Sequence, residues 1–354
     1  MSRFRKTIPV ALVTAAIAVS WLVRPTSAAG QASVGEPAGD GRPLVVSTAS
    51  IFADMAAAIG GDLIESRSIV PLGGDPHSYE PTPESAALVA EADLVLRNGL
   101  TFEGWLTELI RYSSGGAPVT LITKGIEPLG SLDYAGSEDP HAWMDASLGV
   151  VYADNIYRAL AATFPEYAEE FAFNFGVYRG QLLDLDRWIR DTIATIPPDD
   201  RVLITSHDAF QYYGRAYNLR LESILGTSTD ADAQTSDVAR VVALIEEAGV
   251  PAVFVESTVN PKLLRQIADD TGARIGGSLY ADSLGEPEGP AGTYIGMLEH
   301  NTRTIVRGLT ASADTPTSAD DGFGEEEGSI PLLVSVLGAV FAAGFAIMFR
   351  YAQA

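Results

Sequence analysis

The chain of 354 residues contains no cysteine. This absence excludes disulfide bonds, thiolate metal sites, cysteine nucleophiles and attachment of a lipid to an N-terminal cysteine. Basic residues are also scarce, since 23 lysines and arginines stand against 46 aspartates and glutamates. That balance argues against nucleic acid as a partner, because phosphate backbones are bound by basic surfaces. An acidic surface tolerates cations, although many secreted proteins are acidic simply because net charge keeps them soluble.

The two ends of the chain predict an export signal and a membrane anchor. Basic residues precede an apolar run from Ile8 to Val23 and then small residues, so residues 1–29 predict a signal peptide, with an uncleaved signal anchor as the alternative. Residues 329–350 hold about 20 uncharged residues, enough to cross a bilayer as a helix. Acidic residues precede this segment, and Arg350 ends it. The positive-inside rule then predicts an extracytoplasmic body, tethered to the cell membrane by a C-terminal transmembrane helix; a buried core helix is the alternative.

Between these ends the sequence predicts an α/β fold. Short β-branched runs alternate with longer amphipathic stretches, which is typical of parallel sheets flanked by helices. One such set predicts an N-terminal lobe (43–165) and a second set a C-terminal lobe (199–310), joined by one long rigid helix (166–198). The polar segments 30–42 and 311–328 predict a flexible lead-in and a linker. The predicted strands are Leu44–Ser47, Ser66–Val70, Leu94–Leu96, Val119–Ile122, Val202–Ser206, Leu221–Leu225, Ala252–Glu256 and Ile275–Leu279.

Histidine is scarce, with four in the whole chain. Three of them fall at predicted strand-to-loop junctions, where open α/β sheets place their ligands. His77 and His141 each end an Asp-Pro-His tripeptide, in which proline fixes the backbone and aims the imidazole. His207 ends the apolar run that begins at Val202. Each histidine alone is better explained as a capped or hydrogen-bonded loop residue, but the three together predict a metal site.

Asp282 is the candidate carboxylate for the same site. It follows the last predicted strand, although an aspartate before serine in a loop is also a common turn or cap residue. Three imidazoles and one carboxylate form an N3O shell that suits zinc at about 2.0–2.2 Å. Four protein ligands close the site, whereas catalytic zinc usually keeps one position open for water. The set therefore predicts a binding protein rather than an enzyme, with no catalytic cofactor.

Acidic residues beside these candidates predict a supporting role. Asp75, Asp139, Asp145 and Asp208 adjoin the proposed ligands and are candidates to orient imidazole N–H groups, with turn or cap roles as the alternative. Glu256, at the end of a predicted strand, is either such an orienting group or a strand-terminal charge.

Four segments resemble, in the same order, the metal-binding solute-binding proteins of ABC importers (periplasmic solute-binding protein family 9), which serve zinc and manganese uptake. The segments are Gly73–Pro81, Asp139–Asp145, Thr205–Phe210 and Asp282–Gly285. The resemblance runs from about Pro43 to Leu309. It implies two α/β lobes joined by a long rigid helix, with the metal in the cleft between the lobes. It places the ligand role on His77, His141, His207 and Asp282, two from each lobe.

The resemblance also implies the partners of the chain. They are an importer permease and a separate ATPase subunit, since this chain contains no P-loop for ATP. We expect a monomer that carries Zn²⁺ or Mn²⁺ as its transported ligand. Zinc is favoured slightly because the Irving–Williams order places it above manganese at such a site, although the residues around His77 resemble the manganese and iron members more closely. The alternatives are a metal-dependent hydrolase and a surface adhesin with a structural metal.

The sequence departs from the family at three places. The His- and acid-rich loop of many zinc-specific members is absent, since the segment 130–139 is short and has no histidine. The lipid-bearing cysteine of Gram-positive members is absent as well, and the predicted C-terminal helix takes its place as a tether. Some manganese-binding members have glutamate where this chain has His207.

Overall fold

The computed structural model describes residues 41–131, 137–229 and 233–311. The predicted signal peptide at 1–29, nearly all of the lead-in and linker, and the predicted anchor at 329–350 lie outside these ranges. Within the described ranges, every helix is either too short or too polar to cross a bilayer.

Eight strands and nine α-helices alternate along the described residues. The strands are β1 (Leu44–Ser47), β2 (Glu65–Ser68), β3 (Leu94–Arg97), β4 (Val119–Leu121), β5 (Val202–Thr205), β6 (Arg220–Ser223), β7 (Ala252–Glu256) and β8 (Arg274–Leu279). The helices are α1 (Ser50–Gly60), α2 (Pro83–Glu91), α3 (Leu106–Ser113), α4 (Ala146–Thr163), α5 (Ala168–Ile193), α6 (Gln211–Tyr217), α7 (Thr235–Ala248), α8 (Lys262–Thr271) and α9 (Tyr294–Thr310).

The strands of the first half form one parallel sheet with the order β2-β1-β3-β4. Its central strand β1 is buried along its whole length, because helices cover both faces and the apolar run Leu44-Val45-Val46 offers both faces an apolar side chain. In the second half, β5 pairs with β6 and β7 with β8, again in parallel, and β5 packs beside β7. The prediction of an α/β fold with parallel sheets is confirmed.

The longest helix, α5, contacts both halves of the chain. A 3₁₀ turn at Pro165–Tyr167 precedes it, and it ends before Pro197, close to the predicted limits 166–198. It packs against α1 and α4 from the first half and against α6 and α9 from the second. One hydrophobic core runs through it, from Val45 to Leu309. The bounds of the two lobes, 43–165 and 199–310, stay predictions.

Candidate metal centre

The four predicted ligands come from four separate segments. His77 lies in the loop between β2 and α2, residues 69–82, which we call the His77 loop. His207 follows β5, and Asp282 follows β8, both at carboxyl ends of strands as predicted. His141 differs, because β4 ends at Leu121 and His141 instead enters the 3₁₀ turn that leads into α4.

These segments bring the four side chains together. One ligand atom from each of His77, His141, His207 and Asp282 lies within 4.8 Å of all the others. The Nε2 atoms of His77 and His141 are 3.2 Å apart. The Asp282 carboxylate is 3.3 Å from His141 Nε2 through Oδ1 and 3.2 Å from His207 Nε2 through Oδ2. His77 Nε2 is 4.0 Å from Oδ1 of the same carboxylate.

The converging atoms are buried, and several of them have no hydrogen bond among the described residues. His141 and His207 are inaccessible to solvent, Asp282 is 1% exposed, and the His77 side chain is 4% exposed. Within the described part of the chain, neither carboxylate oxygen of Asp282 and neither ring nitrogen of His207 has a hydrogen bond of acceptable geometry. Buried polar atoms are nearly always paired in folded proteins. A divalent cation among these nitrogens and oxygens would satisfy those that face inward, so the donor set fits a metal ion.

A carboxylate lies behind two of the three imidazoles. Asp139 Oδ1 is 2.8 Å from His141 Nδ1 and also accepts the His141 backbone N–H at 2.9 Å. Glu256 Oε2 is 2.7 Å from His207 Nδ1, while its Oε1 accepts the His207 backbone N–H at 2.8 Å. A carboxylate at Nδ1 favours the tautomer whose Nε2 lone pair faces the centre and makes that nitrogen a better ligand.

The other acidic neighbours have different contacts. Asp75 Oδ1 accepts the backbone N–H of His77 at 2.9 Å, so it fixes the main chain rather than the ring. Asp145 caps the N-terminus of α4 by accepting the N–H of Ser147, and Asp208 Oδ2 accepts from Gln211. For Asp145, the cap alternative matches the structure.

Two aromatic side chains pack against the histidines. The Phe102 ring meets the His77 ring edge to face at a centroid distance of 5.1 Å, and the Trp143 ring lies 5.2 Å from that of His141. The Trp143 Nε1–H also donates to the backbone oxygen of Ala281, next to Asp282. Sequence reasoning missed Phe102, since an isolated aromatic in the turn between β3 and α3 carries no local signal of a site.

Burial lowers the pKa of each of the three histidines, and the neighbouring carboxylates raise it. Burial lowers the pKa of His77 to about 4, against the opposing charge of Asp282. Burial also lowers the pKa of His141, but Asp139 and Asp282 outweigh it and raise the net pKa to about 9. The pKa of His207 rises well above its usual value, because Glu256 and Asp282 likewise overcome burial. Burial raises the pKa of Asp282, but His207 and His141 bring it well below its usual range.

Comparison with known proteins identifies relatives over most of the chain. The manganese-binding lipoprotein MntA of Halalkalibacterium halodurans is 35% identical over 272 residues, covering 77% of this chain and 90% of the relative. The zinc-binding protein TroA of Treponema pallidum is 34% identical over 280 residues, covering 77% and 91%. The metal ABC transporter substrate-binding lipoprotein FimA of Streptococcus parasanguinis is 32% identical over 278 residues, covering 76% and 90%. These names describe metal-binding and substrate-binding proteins, so the hydrolase and adhesin alternatives are not favoured.

Two of these relatives are named as lipoproteins, which a covalently attached lipid holds at a membrane. This attachment contradicts the predicted location, a body tethered to the cell membrane by a transmembrane helix at 329–350. We therefore correct that prediction, which is wrong. The lipid attachment of the relatives is not assigned to this chain either, because the chain has no cysteine to which a lipid could be attached.

The fold and the family agree with the resemblance drawn from the four motifs. The solved structure of the periplasmic zinc-binding protein TroA from Treponema pallidum superposes with a TM-score of 0.73 at 32% identity, covering 77% of this chain and 100% of that one. The family model described as "zinc-uptake complex component A periplasmic" matches residues 45–308. The chain belongs to this family of metal-uptake proteins.

Proposed function

We propose that this chain binds one divalent transition metal ion outside the cytoplasm and delivers it to the permease of an ABC importer, whose ATPase is a separate subunit. His77, His141, His207 and Asp282 are the proposed ligands. The family and the named relatives support transport of a metal, and they support an extracytoplasmic location.

One observation carries the assignment of the ligands. Three imidazole nitrogens and a carboxylate converge within 4.8 Å in a buried place, and the Asp282 oxygens have no hydrogen bond of acceptable geometry among the described residues. The Nε2 atoms of His141 and His207 approach this carboxylate at 3.3 and 3.2 Å, and a cation held among these atoms would offset the cost of burying it. A tetrahedral ion with four protein ligands has no coordination position open to an attacking water. This supports capture and release of the ion rather than hydrolysis.

We propose zinc ahead of manganese as the ion. Nitrogen-rich shells suit zinc, whereas manganese prefers a larger share of oxygen ligands, and zinc lies above manganese in the order of affinities. The relatives include both a zinc-binding and a manganese-binding protein. Elemental analysis of the full chain, isolated from cells without added metal, tests this choice: a predominance of manganese would reverse it.

Titration of the metal-free full chain with zinc tests the site. We expect one ion per chain, and we expect the double variant His77→Ala with His141→Ala to lose binding because half of the shell is removed. His300→Ala is the matched control, since His300 contacts the backbone oxygen of Ser278 and is not one of the converging residues. Undiminished zinc affinity in the double variant would exclude this site.

A deletion strain tests delivery. Loss of the chain should slow growth when zinc is depleted, and the wild-type gene should restore growth whereas the double variant should not. Normal growth of the deletion strain under depletion would contradict a role in uptake.

A further inference from the structure

The three histidines of the proposed site are not held equally. His141 and His207 each have a carboxylate at Nδ1, and both are inaccessible to solvent. His77 is the partly exposed member of the set, and the described residues show no ion pair at its Nδ1. It also lies well inside the loop 69–82, whereas His141 directly precedes the 3₁₀ turn that leads into α4, and His207 lies two residues after β5. The shell is therefore weakest at His77.

Two hydrogen bonds tie the His77 loop to the second half of the chain. The backbone N–H of Gly73 donates to Ser283 Oγ at 2.8 Å, beside the proposed ligand Asp282. The Thr229 hydroxyl donates to Asp75 Oδ2, and the other oxygen of Asp75 accepts the backbone N–H of His77. A single carboxylate thus connects the main chain of His77 to Thr229, which follows β6 in the opposite half.

Resting on the proposed function, we propose that Asp75 and Thr229 form a latch that sets how fast the bound ion leaves. An ion enclosed by four protein ligands leaves only after one of them withdraws. His141, His207 and Asp282 lie in the buried interior, whereas His77 can withdraw by movement of its loop. That movement pulls Asp75 away from Thr229, because the Asp75 carboxylate holds the backbone of His77. Both residues act through His77, so they are positioning residues and not ligands.

The rate of zinc release from Thr229→Val tests the latch. Valine keeps the branched shape of threonine but removes the hydroxyl donor, and Asp75 and all four proposed ligands stay in place. Hydrogen bonds to charged groups are strong enough that losing one should speed release about ten-fold. Thr229→Ser keeps a hydroxyl and should release zinc at nearly the wild-type rate. The measurement mixes the zinc-loaded full chain with excess chromogenic chelator and follows the colour with time.

Thr227→Val is the matched control. Thr227 belongs to the same loop, but its hydroxyl contacts Ser131 Oγ at 3.1 Å, whereas the donor to Asp75 is Thr229. We expect Thr227→Val to release zinc at the wild-type rate. Equal acceleration in both valine variants would overturn the latch, because it would show a general effect of loosening this loop. A wild-type rate in Thr229→Val would overturn it as well.

The same experiment separates the latch from the proposed function. If the wild-type chain binds no zinc in the preceding titration, the proposed function fails and the latch fails with it. If the wild-type chain binds one zinc but Thr229→Val leaves the release rate unchanged, the latch alone fails.

Discussion

At the scale of single residues, the carboxylates behind His141 and His207 fix the orientation of the rings proposed to bind the ion. Each contacts the Nδ1 of its histidine and accepts the backbone N–H of the same residue. The ring and its main chain are therefore fixed by one group. This arrangement points the Nε2 atoms toward the centre before any ion arrives, so binding costs little side-chain ordering.

Replacing Glu256 by glutamine should weaken zinc binding about 10- to 100-fold, the usual effect of losing an orienting partner. The amide keeps the size of the carboxylate but lacks its charge, so it supports the imidazole less well. Zinc titration of Glu256→Gln measures the change. Glu222→Gln is the control, because Glu222 lies on β6 and pairs with Arg220 and Arg240 instead of a histidine. Equal affinities of Glu256→Gln and wild type would contradict the orienting role.

Zinc affinity should fall as the pH falls through the neutral range. In the ion-free protein the pKa of His141 is raised to about 9, so this histidine is protonated at neutral pH. It must lose that proton before its nitrogen can bind a metal, and lower pH makes the loss harder. We expect zinc to displace at least one proton per chain near pH 7. Titration calorimetry in buffers of different ionisation enthalpy measures this, and a heat independent of the buffer would contradict it.

The sequence could single out the three converging histidines because their signals are local. His77 and His141 each carry the aspartate and proline of a tripeptide, and His207 closes an apolar run. Glu256 lies 49 residues from His207 along the chain, so only the packing of β7 beside β5 brings them together. Its role therefore stayed one of two alternatives until the fold was known. Phe102 likewise reaches His77 only through the fold, so its contact with that ring could not be predicted from the sequence.

At the scale of elements, strands and helices were predicted more reliably than their pairing. The predicted strand Leu44–Ser47 coincides with β1, and the predicted strand Ala252–Glu256 with β7. Both are bounded by local turn residues, which a sequence displays directly. The second half pairs its strands as two separate ladders, β5 with β6 and β7 with β8. Side-chain periodicity does not encode which strands become neighbours, since that depends on packing between distant segments.

Gly149→Ala should lower stability by about 1–3 kcal/mol, the cost of overpacking, less a smaller gain in helix propensity. Gly149 lies in α4 where Tyr294 of α9 approaches it, and an added Cβ would be 2.6 Å from the Tyr294 hydroxyl oxygen. That hydroxyl donates to the backbone oxygen of Trp143, so the ring has little freedom to retreat. Denaturant unfolding measures the difference.

Gly176→Ala provides the control for this substitution. Gly176 lies within α5, and an added Cβ there would meet no atom within 4 Å. Helix propensity then acts alone, and the variant should be as stable as wild type or more stable by up to about 1 kcal/mol. A destabilisation of Gly176→Ala equal to that of Gly149→Ala would contradict the close approach of α4 and α9 as the cause.

At the scale of the whole molecule, the proposed ion joins distant parts of the chain. His77 and His141 precede α5, whereas His207 and Asp282 follow it. The helix contacts both halves, and the core is continuous from Val45 to Leu309. A metal ion held by ligands from both halves binds only when both are folded and correctly placed. Binding and folding are then linked through the complete molecule rather than through one half.

This linkage predicts that zinc raises the melting temperature. A ligand at about 100 times its dissociation constant adds about 2.7 kcal/mol to the stability of the folded state, which corresponds to about 4–5 °C for a folded body of this size. Because the shell needs both halves, His141→Ala and His207→Ala should each remove most of the shift, although they lie on opposite sides of α5. His300→Ala should keep it, since that histidine lies outside the converging set. Thermal unfolding with zinc and with excess chelator measures the difference. A full shift in either ligand variant would mean that the ion stabilises the protein from another site.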